Sequence, residues 1–466
     1  ASVTGVQVAP AKSAIRDLPI AKEWAFAVGQ FGWALLSGII SNWLVYFYQP
    51  DQETISQGQT VFVPQGLVVL GIVTVVGGIT AFARFFDAFV DPAVASLSDR
   101  CDAKSGRRMP FLKFAALPLA VVTVLVFWSP INGTSWVNAA FLFVTVIGYY
   151  IALTFYCTPY NALIAELGHD SKQQLTISTA IPFTWVAGTA IAYVAPVIWG
   201  AFVPMMGRIT AIRVTFTIMA AVAFVCMLVP PLAIREKDYV NSHPTSESTI
   251  ESLKQTFGDG EFRKFVCSDV VYWVAITTFQ TGLPFFVTSL LKLPETTTTI
   301  YFVLMTGVSV LFYLPVNILA NKVGKKRLLL VAFVIFTCAF AFAGALGSAV
   351  LGFIPAMAQG LVLSVVGAIP MAAFGILPQA IVANIADASS KTTGQDRQGM
   401  FYAARTFAMK MGQSVAMLLF TGVSTIGMAS GAGYRIAAVC AAVLCGLGGI
   451  VFAFYNEKKV LGVLET

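Results

Sequence analysis

Five ionisable residues stand where the surrounding sequence is almost wholly apolar: Arg84, Asp87 and Asp91 in one run, Arg405 and Lys410 in another. An ionisable side chain at the centre of a bilayer costs about 2.5–3.5 kcal/mol on insertion scales, and such residues usually mark a path for ions or substrate. Arg84, Asp87 and Asp91 fall at i, i+3 and i+7, so all three project from one helical face. Pro92 follows at once and frees the carbonyl of Ala88, loosening the helix where the carboxylates point. Arg405 and Lys410 are five apart, on overlapping but not identical faces. Carboxylate oxygens suit a hard cation such as Na⁺, and a desolvated carboxylate can also carry a proton. Asp87 and Asp91 are therefore the candidates to bind a coupling cation, with Lys410 pairing with them when it is absent. The competing reading is a structural salt bridge, for example Arg84 with Asp87, that only fixes helix packing.

The elements that position these residues follow from composition. Of 466 residues, 57% are hydrophobic and 11% charged, against roughly 25% charged in a soluble domain, which excludes a soluble enzyme. A spanning helix needs about 20 mostly apolar residues. Runs of that kind lie near 25–49, 67–98, 111–130, 135–163, 177–204, 212–234, 265–291, 297–320, 328–347, 350–383, 400–428 and 432–456, which predicts twelve transmembrane helices. The net charge of +7 sits in the loops rather than on a nucleic-acid-binding face. Arg100, Lys104, Arg107, Arg108, Lys322, Lys325, Lys326 and Arg327 fall on one side; only Arg208, Arg213, Lys292 and Arg435 fall on the other. By the positive-inside rule both termini are cytoplasmic. The first twenty residues carry Lys12, Arg16 and Asp17 but no continuous apolar core, so no cleavable signal peptide is expected there.

The hydrophilic stretch 235–264 divides the runs into an N-terminal half, 1–234, and a C-terminal half, 265–466. Within it Ser248 and Glu251 form a capping-box pattern, and Ile250, Leu253 and Phe257 share a face, consistent with a surface helix or equally with a solvated linker. Ser98-Asp99-Arg100 with Ser105-Gly106-Arg107-Arg108 after the second run is echoed by Asn321-Lys322-Val323-Gly324-Lys325-Lys326-Arg327 after the eighth. Two pseudo-symmetric six-helix halves around a midplane cavity are a transporter plan. The alternative is a repeated positive-inside loop without deeper kinship.

Other polar and aromatic residues inside the runs are candidates to line a substrate cavity: Gln30, Trp33, Asn42, Tyr150, Cys157, Asn161, Trp185, Tyr272 and Gln280. Aromatic rings flank sugars and amphiphiles well, although they also form cores and interface belts. Asp269 reads as a cap or loop partner at the end of the seventh run. His169 and His243 both fall in loops, which leaves no histidine-based metal site within the spans. No GxxxxGK[ST] run is present, so the energy source is an ion gradient or the solute's own gradient. The seven cysteines show no paired spacing and read as packing residues.

Ala83-Arg84-Phe85-Phe86-Asp87-Ala88-Phe89-Val90-Asp91-Pro92, Gly106-Arg107-Arg108-Met109-Pro110, Cys157-Thr158-Pro159-Tyr160-Asn161-Ala162-Leu163 and Thr406-Phe407-Ala408-Met409-Lys410-Met411-Gly412 together resemble the glycoside-pentoside-hexuronide:cation symporters. These are melibiose-permease-like members of the major facilitator superfamily, and animal lysolipid symporters are related. The resemblance implies the major facilitator fold, cation-site carboxylates at Asp87 and Asp91, a hydroxyl from Thr154, and Lys410 facing them. The family's sugar-binding acids are replaced at Ala34 and Cys157, its tryptophan at Asn161 and its arginine at Ile181, and Val90 replaces an asparagine beside the second carboxylate. The ion, Na⁺ or H⁺, therefore stays open.

The expectation is an all-α, cytoplasmic-membrane symporter, not an enzyme. It moves a sugar or glycoside-like solute, without cofactor or nucleic-acid partner, as a monomer in the lipid bilayer. A lysolipid or other amphiphile is the alternative solute, and a non-transporting membrane receptor or scaffold is the alternative of another class.

Overall fold

The computed structural model describes residues 16–101, 103–167, 171–240, 249–394 and 398–466; His169, His243 and Ser248, and so the capping-box pattern, lie outside them. The apolar runs close into long helices because a chain in hydrocarbon must satisfy its own backbone donors and acceptors. In chain order these are α1 (Ile20–Tyr48), α2 (Val75–Arg100), α3 (Met109–Leu125) and α4 (Trp136–Leu167). Next come α5 (Ser171–Tyr193, continued after a break at Val194 as Ala195–Met206) and α6 (Arg208–Ala233). The second set is α7 (Gly260–Phe285, extended by the π turn Phe286–Leu290), α8 (Thr297–Val323), α9 (Lys325–Gly344), α10 (Ala356–Thr393), α11 (Gln398–Val423) and α12 (Ala432–Ala453). No β-sheet forms among the described residues; two isolated bridges, Val69 with Val73 and Ala103 with Gly106, are the only strand pairing.

Nine helical stretches among the described residues are long and apolar enough to cross a membrane. The three long helices outside that set have physical reasons. α3 is 17 residues long, whereas α2 carries Arg84, Asp87 and Asp91 and α11 carries Arg405 and Lys410 within their lengths. The second apolar run is also shorter than expected. Residues 67–74 form a turn with positive φ at Gly66, Leu70 and Gly71, and helix begins only after the Thr74 hydroxyl caps Gly77 N. In the central stretch the chain forms short helices at Glu236–Tyr239 and Thr249–Phe257, and α7 starts at Gly260.

The repeat seen in sequence has a structural counterpart. Gly106 and Gly324 have φ of +125° and +100°, a region open essentially to glycine. Each turn seats a glutamate from a short helix: Glu236 follows α6, and Glu457 follows α12. Glu236 accepts from Arg108 N at 2.9 Å and Met109 N at 3.0 Å, and Glu457 accepts from Lys326 N at 3.3 Å. In both cases a carboxylate meets the positive end of a long helix, α3 for Glu236 and α9 for Glu457.

The two sets of helices meet along α2 and α11 and between α1 and α7. At one end of the bundle, called here the Glu295 end, they are bonded together. The Arg208 guanidinium grips both oxygens of Glu295 at 2.8 Å. Trp199 Nε1 donates to Glu295 at 2.6 Å and Tyr46 Oη at 2.7 Å. Thr288 donates to Asp51 at 2.6 Å, and Gln49 Nε2 to Thr421 O and Ser424 Oγ, each at 2.9 Å.

Candidate functional site

α2 and α4 run parallel, which the side-chain pairing makes plain: Thr154 donates to Asp87 Oδ1 and Thr158 donates to Asp91 Oδ1. Residues four apart share a helical face, so the same four-residue step on each helix produces two hydroxyl–carboxylate pairs stacked one turn apart. α11 crosses this ladder antiparallel to α2. The order of contacts fixes the direction: Ser414 donates to Ala81 O at 2.7 Å, Lys410 faces Asp87, and Phe407 packs on Phe89 at 5.7 Å between ring centroids.

Lys410 Nζ sits between the acids, 3.0 Å from Asp87 Oδ2 and 3.1 Å from Asp91 Oδ2. Asp87 is 2% exposed and Lys410 8%, while Asp91 is only half-buried. A desolvated cation is tolerable here because two opposite charges meet it. Each carboxylate thus shares one oxygen with the ammonium and one with a hydroxyl, an all-oxygen donor set that suits a small hard cation.

Two of the expected charge partners lie elsewhere. Arg405 does not join the acids of α2; its Nε bonds Asp269 Oδ2 at 2.9 Å, and Trp273 Nε1 donates to the same oxygen at 3.2 Å. At 3.6 residues per turn, a five-residue step turns Arg405 about 140° away from Lys410, toward α7. Asp269 is accordingly a buried ion-pair partner rather than a cap. Arg84 does not bridge to Asp87 either. Its guanidinium lies over the Tyr150 ring, 4.7 Å from the centroid, a cation–π contact.

One turn from Lys410 toward the Glu295 end, α1, α2, α4, α7 and α11 enclose a cavity. It is lined by Ser41, Arg84, Tyr150, Thr277, Gln280, Thr281 and Gln413 among others. Of the expected cavity residues, Tyr150 and Gln280 line it and the rest do not. Trp33 packs on Trp185 at 4.9 Å, with Gln30 one turn away on α1; the indole nitrogen of Trp33 and Gln30 Oε1 have no hydrogen-bond partner. Asn42 is buried, its Nδ2 also without a partner. Asn161 is exposed and donates to Cys157 Sγ at 3.4 Å. Tyr272 is a core residue, stacked on Phe374 at 4.0 Å. Thr277, Thr281 and Gln413 were not singled out in the sequence.

The bundle matches a solved crystal structure of the nucleoside transporter NupG with a TM-score of 0.61 at 14% identity, covering 93% of this chain and 99% of that one; at that identity the likeness concerns the fold. The uncharacterized symporter YnaJ of Bacillus subtilis (strain 168) is 23% identical over 187 residues, which cover 40% of this chain and 36% of that one. The isoprimeverose transporter of Lactiplantibacillus pentosus is 24% identical over 175 residues, 37% of this chain and 33% of that one. The aligned part thus spans about a third of the length of these two relatives. The family model for MFS/sugar transport protein matches residues 25–455, and the chain, an integral membrane protein with an all-α major facilitator fold, belongs to that family.

Proposed function

We propose that the protein is a cation-coupled symporter that moves a sugar or glycoside-like solute across the membrane by alternating access. The observation that carries the reading is Lys410 Nζ held between Asp87 and Asp91, with Thr154 and Thr158 on their remaining oxygens. A cation arriving at those oxygens, Na⁺ or H⁺, neutralises the acids and competes with the ammonium. Because Lys410 is on α11 and the acids are on α2, that competition changes the bond between the two halves. A ligand that binds one arrangement better shifts the population toward it.

In this reading all twelve long helices span the cytoplasmic membrane. The halves are 1–234 and 265–466, joined by the 235–264 linker, with both termini on the cytoplasmic side and the Glu295 end outside. The chain works as a monomer on a small-molecule solute and is not an enzyme. The family match and the isoprimeverose relative support a sugar before a lysolipid.

The test is solute-dependent cation flux in proteoliposomes. Concentrative uptake driven by an imposed Na⁺ or H⁺ gradient, lost in Asp87→Asn and Asp91→Asn while both variants stay folded, is the expected result. Full gradient-driven uptake in both variants contradicts it.

A further inference from the structure

Four cations stand at the Glu295 end, and three of them are satisfied by the protein. Arg208 grips Glu295, Lys292 Nζ meets Glu53 at 2.7 Å, and Arg435 donates to Gly344 O at 3.2 Å and to Leu346 O. Arg213 differs. Its Nε donates to Phe127 O at 2.9 Å, and its guanidinium lies over the rings of Phe62 and Trp128, 5.3 and 5.1 Å from their centroids. Among the described residues no carboxylate pairs with it, and its Nη2 has no hydrogen-bond partner. The bond to Phe127 has a counterpart in the second set of helices: Arg213 and Arg435 stand near the starts of α6 and α12, and each donates to a carbonyl at the closing end of a long helix, α3 and α9. That bond is structural, a cation at the negative end of a helix. What Arg435 lacks is a donor nitrogen left over and an indole, 42% exposed, beside the guanidinium.

Depth identifies the partner. Arg213 lies about 8 Å along α6 from Arg208. α6 has 26 residues, about 39 Å, against a hydrocarbon core of about 30 Å. Arg213 therefore falls at the level of the lipid headgroups, where exposed tryptophans such as Trp128 and Trp136 also belong. Further along, the outward faces of α3 and α6 are apolar and exposed, with Leu117, Val121 and Val225 among their residues. A half-buried cation without a counter-charge is costly. A phosphate diester at this depth supplies the charge, and the planar fork of arginine matches its oxygens.

We infer that Arg213 binds the phosphate of a phospholipid in the leaflet at the Glu295 end, with Trp128 beside the headgroup and the acyl chains along the outward faces of α3 and α6. The bond ties the end of α3 and the start of α6 to the bilayer. Neither the cation site nor the central cavity takes part.

The probes are dioleoylphosphatidylglycerol, dioleoylglycerol, which lacks the phosphate, and inorganic phosphate. Each is titrated into the delipidated protein in detergent and followed by native mass spectrometry and by hydrogen exchange across residues 124–130. One phosphatidylglycerol molecule should bind the wild type more tightly than any further one and slow exchange in that segment; dioleoylglycerol and inorganic phosphate should do neither. Arg213→Gln should weaken that first binding by about tenfold or more, the scale of a hydrogen bond to a charged group, and abolish the protection. Arg213→Lys, which keeps the charge but not the fork, should weaken it less. Arg435→Gln removes the corresponding contact at the end of α9 and should lower the melting temperature without changing lipid affinity, which separates a lipid contact from the loss of a helix cap. Equal lipid affinity in the wild type and Arg213→Gln overturns the inference, as does dioleoylglycerol binding as tightly as the phospholipid. Inorganic phosphate reproducing the protection overturns it too, because the site then takes a free anion. Should Arg213→Gln fail to fold, Arg213→Lys decides alone, and unchanged affinity and protection there overturn the inference.

Discussion

The Thr158 hydroxyl donates to Asp91 Oδ1 one turn along α4 from where Thr154 does the same for Asp87. Hydrogen bonds to charged groups contribute about 1.5–3 kcal/mol, a factor of roughly 10 to 150 in an equilibrium constant. If the ladder holds a cation, Thr154→Val and Thr158→Val should each weaken cation affinity within that range. The concentration of Na⁺, or the pH, giving half-maximal uptake would measure it. Unchanged cation dependence in both variants would remove the hydroxyls from the site.

Arg405 and Asp269 form a buried pair that the transport reading does not use. Removing one partner of such a pair costs about 3–5 kcal/mol, whereas replacing both by apolar groups is often neutral. Arg405→Met or Asp269→Leu alone should lower the melting temperature strongly, and the double variant should recover most of the loss. Cation-driven uptake should persist in the double variant. Uptake lost there despite recovered stability would make the pair part of coupling.

Glu295 fastens the Glu295 end of the bundle. Burial pushes its carboxyl upward, but the hydrogen bonds and charge of Arg208, with the Trp199 and Tyr46 donors, outweigh burial and hold it below its ordinary value. A group lowered on folding contributes stability above its unfolded value and loses it as pH falls through the folded one. The fastening should therefore persist at neutral pH and fail only on the acid side, as pH falls through the lowered folded value. Hydrogen exchange across residues 288–300 should rise there in the wild type. In Glu295→Gln it should be raised already at neutral pH, and equal protection of the two proteins at pH 7 would contradict this.

The turns that seat Glu236 and Glu457 differ in tolerance. A Cβ built on Gly106 would lie 2.1 Å from Glu236 Oε2, whereas one on Gly324 would stand 3.5 Å from the Glu457 carboxylate. Both substitutions carry the cost of left-handed backbone, of order 1–3 kcal/mol; only Gly106→Ala adds a collision. Gly106→Ala should lower the melting temperature more than Gly324→Ala, and the reverse order would be inconsistent with this seating.

How much of this was legible in the sequence depended on how rare each signal is. Acids and lysines inside apolar runs are scarce, so Asp87, Asp91 and Lys410 stood out, and the structure brings them within 3.1 Å. Thr158 did not, because hydroxyls are common in helices; the four-residue step from Thr154, matching that from Asp87 to Asp91, was the available clue. Arg405 meets Asp269 rather than the acids of α2, because the partner that α7 supplies is not visible from the five-residue spacing to Lys410. Tyr272 fell in the core because an aromatic ring packs as readily against Phe374 as against a sugar. Glu236, Glu295 and Glu457 did not stand out, since their partners arrive from distant segments that no local pattern names.

The competition between Lys410 and a cation for Asp87 and Asp91 is tested most directly by cation binding to the purified protein. Na⁺ titration calorimetry, paired with proton-uptake measurement on a pH step, would be run on the wild type, Asp91→Asn and Lys410→Met. The account predicts saturable binding of Na⁺ or H⁺ in the wild type, its loss in Asp91→Asn, and tighter binding once the competing ammonium is gone in Lys410→Met. Identical binding in all three proteins would contradict it.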